Sequence, residues 1–200
     1  MAPDPTTLFR RGLLAGQVVV AGGSPGGGGE AVAEACTGLG ATTESLDASD
    51  PLDEQAIDDA LADIWRRQGR IDTLVDDAAA RFAGAAGGAG ELDSLRAAAD
   101  GAWIAARGAG SQAITAAAGG LKIVLLAPPP EGGPHAESCR AALENLARTL
   151  SIEWARHAVR ITAVMASRET TPNDIAALVA YLASPAGDYF SGCRFDLGGS

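Results

Sequence analysis

An α/β fold, with a parallel sheet covered by helices on both faces, is what this sequence predicts, and two observations carry the prediction. Strand-like runs such as "GQVVVAGG", "LKIVLLAPPP" and "VRITAVMAS" are apolar throughout rather than alternating, the pattern of strands buried on both faces. Segments with apolar residues at helical spacing stand between successive runs, long enough to carry the chain back for a parallel neighbour.

The elements follow in order. "GQVVVAGG" is a buried strand ended by a glycine turn, and "EAVAEACTGLG" is a helix that stops at glycine. "ATTESLDASD" reads as a short strand running into an aspartate-rich turn. "PLDEQAIDDALADIWRRQG" opens with proline and acids and closes with two arginines and glycine, so its charges complement a helix dipole. "RIDTLVDDAA" is the next strand. Residues 78–91, "AAARFAGAAGGAGE", are low in complexity and are expected to form a mobile loop. "ELDSLRAAADGAWIAARGAGSQAITAAAGG" is helical, with ends blurred by alanine and glycine, and "LKIVLLAPPP" is a strand halted by three prolines. The helix "HAESCRAALENLARTL", the strand "VRITAVMAS", the helix "TPNDIAALVAYLAS" and a last strand in "CRFDLGG" complete the order.

Composition narrows the function. Two hundred residues suffice for one domain over 1–200, and a net charge of −10 with a pI near 4.6 offers no basic face to nucleic acid. No run approaches the roughly 18 to 20 apolar residues that span a bilayer. "MAPDPTTLFRRGLLAG" lacks the organisation of a signal peptide. Three cysteines without CxxC spacing point to reduced thiols, so the expected location is the cytoplasm. Two histidines among scattered cysteines give no expectation of a metal.

Gly23, Gly27 and Gly29 in "VVVAGGSPGGGGEAVAEA" lie between a strand and a helix. In dinucleotide-binding folds such glycines let the backbone turn sharply and approach a pyrophosphate at a helix N-terminus. A turn kept only for packing is the alternative, since four glycines in a row are costly to order.

With these residues the chain resembles the short-chain dehydrogenase/reductase family over nearly its whole length. "GQVVVAGGSPGGGG" is similar to that family's strand and T-G-x3-G-x-G turn, with Gly22 in place of threonine. "GRIDTLVDDAA" resembles "GRIDVLVNNAG", with Asp76, Asp77 and Ala79 replacing two asparagines and a glycine. "CRAALENLARTLSIEWARHAVRITAV" follows the family's tyrosine-lysine helix and next strand, and "DIAALVAYLASPAGDYFSGCRFDLGG" its C-terminus. The resemblance implies a Rossmann-like three-layer α/β/α sandwich with a mostly parallel, truncated sheet. One strand-like stretch near Asp47 stands where the family has two strands and a helix. It also implies Gly23, Gly27, Gly29 and Asp47 as the positions for NAD, Asp47 being either the ribose acid or the aspartate beside adenine, although a structural role for the glycines with no cofactor bound is the expectation. Asp76 and Asp77 oppose such binding by repelling a pyrophosphate, unless they are paired. The substrate-covering segment is reduced to "RETTPN".

The family's catalytic asparagine, serine, tyrosine and lysine align with Ala102, Ala127 or Pro128, Ala136 and Arg140. The chain has a single lysine, Lys122, preceded at four residues by Ala118, and its tyrosines, Tyr181 and Tyr189, are followed at that spacing by Pro185 and Cys193, so no Y-x-x-x-K exists anywhere. Arginine at the lysine position occurs in halohydrin dehalogenases, but Ala136 and Ala127 supply none of their hydroxyls. Ser138 and Cys139 flank the lost tyrosine; without an assigned base, a solvent-facing serine and a core cysteine are the expectation. No catalytic residue is therefore assigned. Cys139, Leu143, Leu146, Leu150 and Trp154 make one helical stripe, facing either the sheet or a neighbouring subunit. The expected function is a catalytically inactive subunit pairing, through the helix with Leu143, Leu146, Leu150 and Trp154, with an active paralogue. The complex would act on an acyl-CoA-type hydroxy or oxo substrate. The alternatives are an NAD(P)-dependent oxidoreductase with displaced acid/base groups and a homomeric sensor.

Overall fold

The computed structural model describes residues 4–22, 27–46, 50–86, 88, 90, 92–116 and 120–198. The chain runs α1 (Pro5–Leu8), β1 (Val18–Ala21), α2 (Gly28–Gly38), β2 (Thr42–Ser45), α3 (Glu54–Gln68), β3 (Thr73–Asp76), α4 (Ala78–Gly84), α5 (Asp93–Thr115), β4 (Lys122–Ala127), α6 (Ala136–Glu153), β5 (Arg160–Ala166), α7 (Pro172–Ala183) and β6 (Cys193–Leu197). The six strands form one sheet in the order β2-β1-β3-β4-β5-β6, and every pair is parallel. The sheet is thus wholly rather than mostly parallel among the described residues. A single strand, β2, lies outside β1, as the one strand-like stretch there implies.

Side-chain alternation sorts the strands' apolar residues into two cores. Leu74, Ile123, Leu125, Ile161 and Ala163 pack under α3, α4, α5 and α6. Val19, Val75, Val124, Leu126 and Val164 pack under α2 and α7. Helix ends obey local rules. Asp53 caps α3 through Ala56 N, and Gly69 ends it at φ 75°, a left-handed value that glycine adopts without strain. Thr171 and Asp174 form a reciprocal capping box at α7, with Pro172 just inside.

The loop expected over 78–91 begins instead as α4. Asp77 accepts the Ala80 amide at 2.9 Å and Phe82 is buried, so a cap and one aromatic anchor outweigh low complexity. The small residues of α5 serve contacts within the chain. A side chain at Gly108 would meet Leu61 of α3 at 2.8 Å, and one at Gly110 would meet the Trp154 ring at 2.7 Å. Leu143 and Leu150 are likewise buried in the core of their own chain, with Leu146 and Trp154 packed partly against it.

Candidate functional site

In a doubly wound sheet a ligand crevice opens beyond the carboxyl ends of the strands, where successive connections leave in opposite directions. Here that point lies between β1 and β3, since the chain passes from β1 outward to β2 and then back across to β3. Gly27 is the N-cap of α2, and Gly29 in its first turn is buried. A side chain at Gly29 would run into the Gly22 carbonyl at 2.4 Å, so only glycine fits there. Gly28 is packed as well, with the side chains of Leu126 and Ile175 at 3.3 Å from where a Cβ would stand. Gly23 and Asp47, also expected in the cofactor site, lie outside the described residues.

The α2 terminus already has an anionic partner from its own chain. Asp77 Oδ2 accepts the Gly29 amide at 2.8 Å while Oδ1 accepts that of Ala80. One carboxylate therefore closes the N-termini of two helices, α2 and α4. It is 1 % exposed. Burial pushes its carboxyl above the ordinary range, against the lowering pull of the Ala80 and Gly29 amides. Its neighbour Asp76, also buried, pairs with Arg81 at 2.6 Å, and Arg81 Nε donates to the Ala97 carbonyl at 3.0 Å. The two acids that the sequence sets against a pyrophosphate are thus paired inside the protein.

The positions of the resembled catalytic residues are filled in the same spirit. Ala102, Ala127, Pro128 and Ala136 are all buried. Arg140 Nη1 donates to the carbonyls of Pro128 at 2.7 Å and Ala166 at 2.8 Å, tying together the carboxyl ends of β4 and β5. Cys139 is fully buried, its thiol pushed up to about 12 by burial, and Ser138 faces solvent. Neither is an activated nucleophile. The β5–α7 connection is only residues 167–171, where Thr170 Oγ1 bonds both Ser167 N at 2.8 Å and the Leu197 carbonyl at 2.5 Å. It is a turn fastened to β6 rather than a cover for a substrate.

Among the described residues, the Gly29 amide at the α2 N-terminus is taken by Asp77, and Arg140 is engaged with backbone carbonyls. Among the described residues no group of three His, Cys, Asp or Glu side chains is placed to hold a metal, and no helix is long and apolar enough to cross a membrane. The glycine start of α2 at Gly27–Gly29 was legible in the sequence. The roles of Asp77, Arg81 and Arg140 were not, although an aspartate just before "AAAR" is an N-cap signal for the helix that was read as a loop.

Sheet order, the glycines at the start of α2 and the switch point define the class of fold as that of the dehydrogenase-type α/β domains. No family model matches the sequence, and no curated protein matches it. Among solved structures, the chain is similar to a short chain dehydrogenase from Mycobacterium smegmatis, 23% identical with a TM-score of 0.82 over 100% of this chain and 98% of that one. It is similar to a citronellol catabolism dehydrogenase from Pseudomonas aeruginosa, 24% identical with a TM-score of 0.78 over 95% and 96%. A hydroxysteroid dehydrogenase from Escherichia coli, 17% identical, gives 0.77 over 94% and 98%. The chain has the fold of the short-chain dehydrogenases.

Proposed function

We propose that this chain is a non-catalytic relative of the short-chain dehydrogenase/reductases that works as a subunit beside a catalytically competent paralogue. The observation that carries the reading is the set of buried apolar groups at Ala102, Ala127 and Ala136, with Arg140 tied to two carbonyls, where the resembled family keeps its proton-transfer residues. Ala102, Ala127 and Ala136 carry no hydroxyl or amine, so these positions have no group to give or take a proton.

The face offered to a partner is the outer groove between α5 and α6. Ala99, Trp103, Ala142, Leu146 and Thr149 line it, with Leu143 and Leu150 at its floor, in a cavity of about 390 Å³. Trp103 is 41% exposed there, an unusual cost for a large aromatic ring unless it is covered in an assembly. The substrate class carried over by resemblance is an acyl-CoA-type hydroxy or oxo compound, handled by the partner's residues.

Co-expression of the tagged chain with a paralogue that retains its tyrosine and lysine tests the reading. A stoichiometric complex is expected, and Trp103→Glu is expected to abolish it; recovery of the tagged chain with only itself overturns it. The competing oxidoreductase reading rests on the glycine turn before α2 and on Asp47. Titration with NADH and with NADPH separates the two, because saturable binding by the isolated chain would favour the oxidoreductase.

A further inference from the structure

We draw no further inference here: the strongest candidate, the open outer edge of β6 with the aromatic row Tyr181, Phe190 and Phe195 beside it, carries nothing, because its charged residues, Arg194 and Asp196, are already paired with each other and nothing in the structure shows what covers it.

Discussion

The two ends of the sheet treat polar groups in opposite ways. At the carboxyl end, where folds of this kind meet their ligands, the chain satisfies itself: Asp77 closes two helices, Asp76 holds Arg81, and Arg140 spans two carbonyls. At the amino end, which such folds give mainly to stability, Lys122 is fully engaged by the Ala183 and Ser184 carbonyls and by Asp188. Groups that a buried site would offer to a ligand have been turned inward at one end, while at the other Gln17 Oε1 and Thr73 Oγ1 are buried without a partner among the described residues. Unpaired buried polar groups are costly, so their distribution says where stability has been favoured over binding.

The sharpest way to break this contrast is Arg81→Met. It strips the partner from Asp76, a carboxylate only 2 % exposed, and leaves a buried charge uncompensated. A loss of about 3 to 5 kcal/mol in urea unfolding is expected, with most of it recovered when Asp76→Leu is added. A loss below about 1 kcal/mol would mean that water reaches the pair and that this end is not sealed.

Asp77→Ala comes next. Two buried amides, those of Gly29 and Ala80, lose their acceptor together, for an expected cost of about 2 to 3 kcal/mol. Asp77→Asn adds a test of sign. Burial raises the folded carboxyl above its unfolded value, so the fold binds that proton more tightly than the unfolded chain does. Its contribution to stability is present below the unfolded value and is lost as pH rises through the folded one. The advantage of the unaltered chain over Asp77→Asn should therefore be largest at the acid end of that window and shrink as pH rises. An advantage that grows with pH would show that the two amides outweigh burial.

The sequence made the scaffold legible because its signals were continuous. Strands such as "KIVLLA" are apolar at every position after the lysine, and "TTPND" carries a complete capping signal. It was least informative where alanine and glycine erase periodicity, as in α4, whose existence depends on one cap and on Phe82 finding the core. The direction of the Cys139–Leu143–Leu150 stripe was open for a similar reason. A helix lying between sheet and solvent can present leucines either way, and only packing decides that these face inward. At the site, the residue types at the positions aligned with the resembled family's catalytic groups are legible in the sequence. The contacts around them are not, because Asp77 to Gly29 and Arg140 to Ala166 join segments distant in sequence.

Arg140→Met probes the clamp between β4 and β5. The Pro128 and Ala166 carbonyls lose a charged donor, at an expected cost of about 1 to 2 kcal/mol, less than at Asp77 because carbonyls near the sheet end can recruit water. Faster amide exchange confined to the last residues of β4 and β5 is the accompanying signature. If exchange rises uniformly across the sheet instead, Arg140 supports the whole core rather than this edge.

The smallest effect is expected at the amino end of the sheet. Asp188→Asn removes the carboxylate from Lys122, but the Asp188 side chain is 49% exposed and the ammonium keeps the Ala183 and Ser184 carbonyls. With one partner half exposed to water and the buried ammonium still held by two carbonyls, the pair is expected to contribute about 1 kcal/mol or less. Loss of a carboxylate should thus be felt strongly between α2 and α4, as Asp77→Ala, and barely beside α7, as Asp188→Asn, in one unfolding assay at one pH. Equal losses at both positions would dissolve the contrast between the two ends, since Lys122 would then depend on its carboxylate as much as the helix termini depend on theirs.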